Sequence, residues 1–444
     1  MSDTGLIKRS TDAVRNSITL KLFVIGFLAL LLLIPAEMVE SLIQEREGRK
    51  AEAVKEISGK WGEAQTLTGP LLTVPYRHYY TKNDGTRDHD IRYVHFLPKS
   101  LNVEGELKPE IRYRGIYKAV LYNAKLVAHG RFERPDFAAL DIPEQNALWN
   151  RAFLSFGISD MKGLREAIGV SVGKTTLTAN PGIETQDVLA SGVSVRLSPT
   201  LTRGPEMPFT LTFDINGSDR IQFVPVGEVT QVKLTSAWEG PSFDGAFLPV
   251  QREVTDSGFS AMWKVLHLNR NFPQAWIGKR EKVGDAAFGV RLFVSADVYQ
   301  QATRTAKYAL IFIVLTFTTF FFSEVLTRRR VHAIQYLLIG FALTIFYTLL
   351  IALSEHIRFG FAYLIAATAV IGLITMYAHW VLAANRLTGL VGGILVILYG
   401  YLYTILQLED YALLMGSIGL FIALAAVMYV TRKIQWYGDD KKTR

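Results

Sequence analysis

Gly169, Gly173, Lys174 and Thr175 lie in a stretch resembling a phosphate-binding loop, where backbone amides cradle phosphate and a lysine reaches it. The spacing is one residue short: the first glycine belongs at position 168, which holds Ile168. Ser159 and Lys162 stand at the Ser-x-x-Lys spacing of a lysine-activated serine nucleophile. Neither companion motif, Ser-Asp-Asn or Lys-Thr-Gly, follows. The same residues therefore read as a helix start capped by Ser159 or Asp160. The eight histidines include no His-Glu-x-x-His zinc pair, and the chain is read as having no serine-hydrolase elbow. His89 and His95 lie in and beside an expected strand, at a spacing that does not force them onto one metal. With no cysteine, disulfides, thiolate nucleophiles and cysteine metal sites are excluded. No catalytic residue, metal or cofactor is expected.

The remaining ionisable candidates sit at the ends of long apolar runs: Glu324, the neighbours Glu355 and His356, and His379. Ionisable groups at membrane depth are functional candidates, because a carboxylate or imidazole there can carry a proton or gate a path. Each also fits an interfacial or capping role. A chain of carboxylates across the bilayer, as a proton pump needs, is missing.

Those runs are the elements that position the candidates. A spanning helix needs about 20 mostly apolar residues. Runs of that kind occur at 20–39, 306–325, 333–353, 359–382, 389–406 and 411–430, none with a charge in its middle. The uninterrupted apolar core of the first, 22–34, follows Lys8, Arg9, Arg15 and Lys21, as in a signal peptide. No small-x-small cleavage site comes after it, so a retained anchor is expected. The predicted order is a tail at 1–19, one transmembrane helix, a large domain at 40–304, five more transmembrane helices, and a tail at 431–444.

Lysine and arginine favour the cytoplasmic side of a membrane. They precede the first run, follow the second as Arg328, Arg329 and Arg330, follow the fourth as Arg386, and follow the sixth as Arg432, Lys433, Lys441, Lys442 and Arg444. The loops after the third and fifth runs carry Glu355, Glu409 and Asp410, with Arg358 against them. All of this points to one orientation: both termini cytoplasmic and the large domain outside. The net charge of +8 then follows from topology rather than from a nucleic-acid partner. The expected partners are the lipid bilayer and, for the large domain, a protein or envelope component on its own side.

Inside the domain, 44–60 reads as a charged helix with a Glu45–Arg49 pair. Strand patterns dominate afterwards, at 71–80, 91–96, 120–127, 193–197, 209–215, 220–224, 229–237 and 288–294. Asn216, Gly217, Ser218 and Asp219 look like the turn of a hairpin. The best helix patterns are 136–146 and 160–166. A β-rich domain, an antiparallel sandwich or roll, is expected.

Several phrases resemble the CreD family of inner-membrane proteins. They run from Ile43-Gln44-Glu45-Arg46-Glu47 through Trp61-Gly62, Gln65 to Pro70, Tyr113 to Tyr117, Phe247-Leu248-Pro249, and Leu268-Asn269-Arg270 with Pro273-Gln274. They continue at Lys307-Tyr308-Ala309, Ile334 to Gly340, and Ser354-Glu355-His356-Ile357. Ser295-Ala296-Asp297 departs from an expected Pro-Val-Asp. The resemblance implies a bacterial inner-membrane protein with a periplasmic domain. It implies a role in envelope integrity, linked to a two-component response and to tolerance of colicin and β-lactam stress. It implies no known enzyme activity and supplies no catalytic residues. The expected function is a non-enzymatic envelope protein. The alternatives are a transporter or lipid-handling protein, for which Glu355 and His356 would gate a path, and a periplasmic cell-wall hydrolase.

Overall fold

Residues 22–34 offer no polar side chain, so the backbone there bonds to itself as a helix. In the computed structural model, which describes residues 18–202, 204–292, 298–327, 331–408 and 411–432, most of that segment lies in α1 (Ile18–Leu31). A single-residue break at Leu32 leads into α2 (Leu33–Trp61). The expected Glu45–Arg49 pair forms on α2 at 2.5 Å. The later helices are α3 (Val298–Lys307), α4 (Ala309–Thr327), α5 (Ala333–Ser354), α6 (Phe359–Leu382), α7 (Asn385–Gln407) and α8 (Ala412–Thr431). The segment before residue 18, Ser295-Ala296-Asp297, Arg328 to Arg330, the Glu409–Asp410 pair and the basic tail after 432 lie outside the described residues.

The chain divides into two units, Met1–Arg49 with Ala296–Arg444, and Lys50–Ser295. In the helical unit, Leu20–Trp61, α5, α6 and α7 each contain a stretch long and apolar enough to cross a membrane. The run expected at 306–325 is met by α3 and α4, two helices bent by 45° that together make a fifth candidate span. The last helix, α8, carries an apolar stretch at Leu414–Tyr429. Helix α5 packs on α6, α6 on α7, and α1 on both α4 and α5. A ring cluster ties four helices together: Phe346 of α5 lies 4.8 Å from Tyr399 of α7 and 5.5 Å from Tyr363 of α6, and Phe312 of α4 lies 5.4 Å from Tyr399. Such edge-on contacts stabilise by about 0.5–1.5 kcal/mol each beyond area burial.

The other unit is β-rich. Its strands are β1 (Gln65–Thr81), β2 (Arg87–Phe96), β3 (Ser100–Arg114), β4 (Tyr117–Glu133), β5 (Phe153–Ile158), β6 (Gly169–Val172), β7 (Thr175–Thr178), β8 (Asn180–Pro181) and β9 (Gly192–Arg196). There follow β10 (Glu206–Ser218), β11 (Arg220–Phe223), β12 (Val229–Ser236), β13 (Pro241–Gly245), β14 (Gln251–Thr255), β15 (Gly258–Leu266), β16 (Ala275–Ile277) and β17 (Phe288–Leu292). One sheet runs β13-β17-β11-β1-β5-β9-β8, with β2 also on β1 and β16 on β2. The other runs β14-β15-β12-β3-β4-β10-β6-β7. Alternation sets the faces: Met207, Phe209 and Leu211 of β10 are buried while Glu206, Pro208 and Thr210 are exposed. Along β1, Leu71 to Tyr76 are all buried, and past the end of β5 the loop bearing Ala147 and Leu148 continues the pairing at the strand's edge through the Leu148 N–H to Pro75 carbonyl bond. Trp263, Phe132, Phe156 and Phe288 fill the core. Each such side chain stabilises by roughly 1.5–3 kcal/mol.

Four local expectations are corrected. The sheets are mixed rather than purely antiparallel, since β1 pairs with β11 and β3 with β12 in parallel. Parallel partners need long crossovers, which a pattern of short strands does not reveal. The hairpin expected at 216–219 is a crossover: β10 belongs to one sheet and β11 to the other. Asp219 takes a left-handed φ of 63° there and redirects the chain. The helix expected at 136–146 is two 3-10 turns, Ala138–Leu140 and Glu144–Asn146, split by Asp141 at φ 56° and by Pro143. The helix expected at 160–166 is one turn, Met161–Gly163, after which Leu164 is drawn into a bridge with Ile215.

Candidate functional site

Charges at the two ends of an apolar helix are costly unless something meets them. Lys21 of α1 and Arg46 of α2 stand 25 residues apart, about 38 Å along a helix at 1.5 Å per residue. The hydrocarbon core of a bilayer is about 30 Å thick. Each cation is met by a carboxylate from another helix. Lys21 pairs with Glu324 of α4, whose side chain is only 7% exposed. Arg46 lies 3.7 Å from Glu355, which follows the last residue of α5 and is 8% exposed. The Tyr299 hydroxyl of α3 donates to the other Glu355 oxygen at 3.0 Å. Tyr336 of α5 stands within electrostatic reach of Glu324.

The first helix is thus tied to the later helices at both ends. Between the ties, α5 comes close enough that a Cβ on Gly340 would meet the Leu32 Cδ1 at 2.0 Å. Leu32 is 1% exposed. A glycine is required at 340 because the break between α1 and α2 fills the space.

Of the four candidates read from the sequence, Glu324 and Glu355 sit in these pairs. The two histidines join neither. His356 is exposed and its Nδ1 meets the Ala352 carbonyl of its own helix at 3.1 Å, so it points away from its neighbour Glu355. His379 is exposed in the last turn of α6. Lys21 was legible only as topological charge, and Arg46 only as part of a family phrase. Their distance across one apolar run, matched to carboxylates ending two others, was the signal for a pairing.

A second hub lies in the β unit, where α2 ends. Gln65 is fully buried and saturates its amide: Nε2 donates to the carbonyls of Asp160 at 2.9 Å and Asn216 at 3.1 Å, and Oε1 accepts from Asp160 N–H at 3.3 Å and the Ser159 hydroxyl at 3.2 Å. The Trp61 indole donates to the Tyr122 carbonyl at 3.2 Å beneath the Arg112 guanidinium, 4.1 Å away. Arg114 pairs with Glu56. The Tyr122 hydroxyl donates to the Arg220 carbonyl at 2.8 Å, and burial holds its pKa well above the ordinary value for tyrosine.

This hub absorbs the Ser-x-x-Lys pair. The Ser159 hydroxyl lies 2.9 Å from the Ala64 carbonyl and accepts from the Thr66 N–H at 2.8 Å. The Lys162 ammonium reaches the Gly59 carbonyl at 3.5 Å. Asp160 is the cap, accepting from the Lys162 N–H at 3.1 Å. The phosphate-loop lookalike is a hairpin: β6 and β7 pair through Val172 and Thr175 around Gly173 and Lys174. Gly169, Ser171 and Gly173 do match the Gly-x-Ser-x-Gly spacing, contrary to the expectation that no elbow motif is present. Ser171, however, lies inside β6 between Thr176 and Thr210, not on a strand-to-helix turn.

His89 and His95 lie six residues apart on β2, about 20 Å at 3.3 Å per residue, too far to share an ion. His95 is 1% exposed, with Nδ1 3.0 Å from the Thr73 hydroxyl and Nε2 3.3 Å from Asp187. Burial lowers its pKa, and Asp187 pulls the other way more weakly. Arg270 is buried among carbonyls, bonding those of Phe272 and Val226 and the Gln274 side chain. Burial pushes its pKa down to about 10.

A long apolar N-terminal helix, an inserted β unit and a bundle of further apolar helices define a multi-pass membrane protein. A family model described as Inner membrane protein CreD matches residues 17–437. Inner membrane protein CreD of Escherichia coli (strain K12) is 34% identical over 415 residues, 92% of this chain and 91% of that protein. The chain belongs to the CreD family of inner-membrane proteins, as its phrases around Arg46, Gln65 and Glu355 imply.

Proposed function

We propose that this CreD-family protein supports cell-envelope integrity without catalysing a reaction. Its β unit faces the periplasm and binds a partner or envelope component there, and both termini are cytoplasmic. The orientation rests on the basic segments at 8–21, 328–330 and 432–444 against the acidic loops at 355 and 409–410. The observation that carries the non-enzymatic reading is the use of Ser159 and Lys162. Both are spent on backbone groups where α2 meets the β unit. A nucleophile needs a free hydroxyl and a base within reach.

The transporter reading gains less. Its proposed gate, Glu355 with His356, is divided between an inward ion pair and an outward imidazole.

The test is complementation of a strain lacking the protein under β-lactam and detergent challenge. Ser159→Ala and Lys162→Ala, at normal protein level, should restore tolerance as fully as the unsubstituted chain. Loss of tolerance at normal level in both would contradict the reading and favour a cell-wall hydrolase.

A further inference from the structure

Helices α6 and α7 leave a groove of about 680 Å³ between them, within the size range of ligand sites. Its walls are apolar: Phe361, Leu364 and Ile371 of α6 face Val396 and Gly400 of α7. Phe361 and Leu364 are each 63% exposed, on spans apolar enough to lie in lipid. Gly400 gives the groove its depth, since a Cβ there would meet nothing within 4 Å. Contacts between the two helices fix the wall. The Tyr363 hydroxyl donates to the Tyr399 carbonyl at 2.6 Å, and the Tyr363 and Tyr403 rings stand 5.2 Å apart.

One end of the groove is polar. Arg358 stands at the N-cap of α6, exposed and with no ion-pair partner among the described residues. Beside it on the rim, Gln407 donates to the Tyr403 hydroxyl at 2.8 Å. From Arg358 to Ile371 is 13 residues, about 20 Å of helix. One leaflet of hydrocarbon is about 15 Å deep. The groove therefore runs from head-group level to the bilayer centre, with one cation at the head-group end and apolar surface along the rest.

We propose that this groove is a binding site for one anionic phospholipid, with an acyl chain between α6 and α7 and the phosphate on Arg358. A peptide helix, about 10 Å across with its side chains, needs a broad trough rather than a slot between two touching helices. A guanidinium with no carboxylate of its own suits phosphate, which it grips through two parallel N–H bonds. The site does not depend on the orientation proposed above. That orientation makes its leaflet the periplasmic one.

The test is native mass spectrometry of the full chain in detergent, mixed with phosphatidylglycerol or with phosphatidylcholine of the same acyl chains. One phosphatidylglycerol should stay bound at activation energies that strip phosphatidylcholine. Arg358→Gln should lower that retention about tenfold, and Arg358→Lys should keep most of it. Gly400→Leu places a side chain in open space, favours the helix, and should abolish retention of both lipids. Equal retention of the two lipids by the unsubstituted chain would overturn the proposal. So would undiminished retention by Gly400→Leu, which would mean annular lipid only.

Discussion

Arg46 and Glu355 meet at 3.7 Å although 309 residues separate them, and Tyr299 completes the site at 3.0 Å. The Glu355 carboxylate is largely buried, so removing Arg46 leaves a charge short of its counter-ion. Arg46→Ala should destabilise the protein in detergent by roughly 1 kcal/mol, since at 3.7 Å the pair is looser than a hydrogen bond and Arg46 is partly exposed. Glu355→Ala should cost a similar amount. The two effects should not add, because each removes the same contact. Thermal unfolding of the two single variants and the double variant checks this. Additive losses would mean that the pair contributes nothing as a pair.

Gln65 makes the same kind of argument inside the β unit. Its amide satisfies four groups contributed by Ser159, Asp160 and Asn216. Gln65→Leu keeps the bulk and strips four bonds at once, including the acceptor of the Asp160 N–H. A loss of about 1–3 kcal/mol is expected. Ser159→Ala should cost less, about 1 kcal/mol, because Gln65 still holds Asp160. Chemical unfolding followed by tryptophan fluorescence measures both, since Trp61 reports on the same junction.

His95 carries a pH dependence with a definite sign. Its folded pKa lies below the ordinary value of about 6.5, because burial disfavours the imidazolium. As pH falls through about 6.5, the unfolded chain takes up the proton and the folded chain does not. Stability contributed by the neutral, buried ring is thus full above that pH and is lost as pH falls toward the lower folded pKa. His95→Gln can keep a bond to Thr73 and does not titrate. Melting temperatures at pH 7.5, 6.5 and 5.5 should fall less steeply for this variant than for the unsubstituted chain. An unchanged slope would assign the acid sensitivity to other groups.

The helices were legible in the sequence because apolar runs carry their own length and ends. Phe359–Leu382 appears where its composition puts it. Strands with a clean alternation, such as Val229–Ser236, were legible for the same local reason. The sheet order was not. Asn216 to Asp219 has the composition of a hairpin turn, yet the chain changes sheets there, because the Tyr122 side chain fills the space beside Gly217 and its hydroxyl holds Arg220. Such a contact joins residues 98 apart and leaves no local pattern. The same holds for the paired charges. Glu324 and Glu355 stood out as carboxylates at the ends of apolar runs, but nothing local to either names Lys21 or Arg46 as its partner.

The proposed orientation puts the β unit outside the cytoplasm and both tails within it. The chain has no cysteine, so single substitutions can be labelled without background. Asn83→Cys and Lys174→Cys sit on exposed turns of the β unit, and Ser2→Cys and Lys441→Cys lie in the two tails. Spheroplasts treated with a membrane-impermeant maleimide should label the first two while intact and the last two only after lysis. Labelling of the tails on intact spheroplasts, with the β unit protected until lysis, would reverse this orientation.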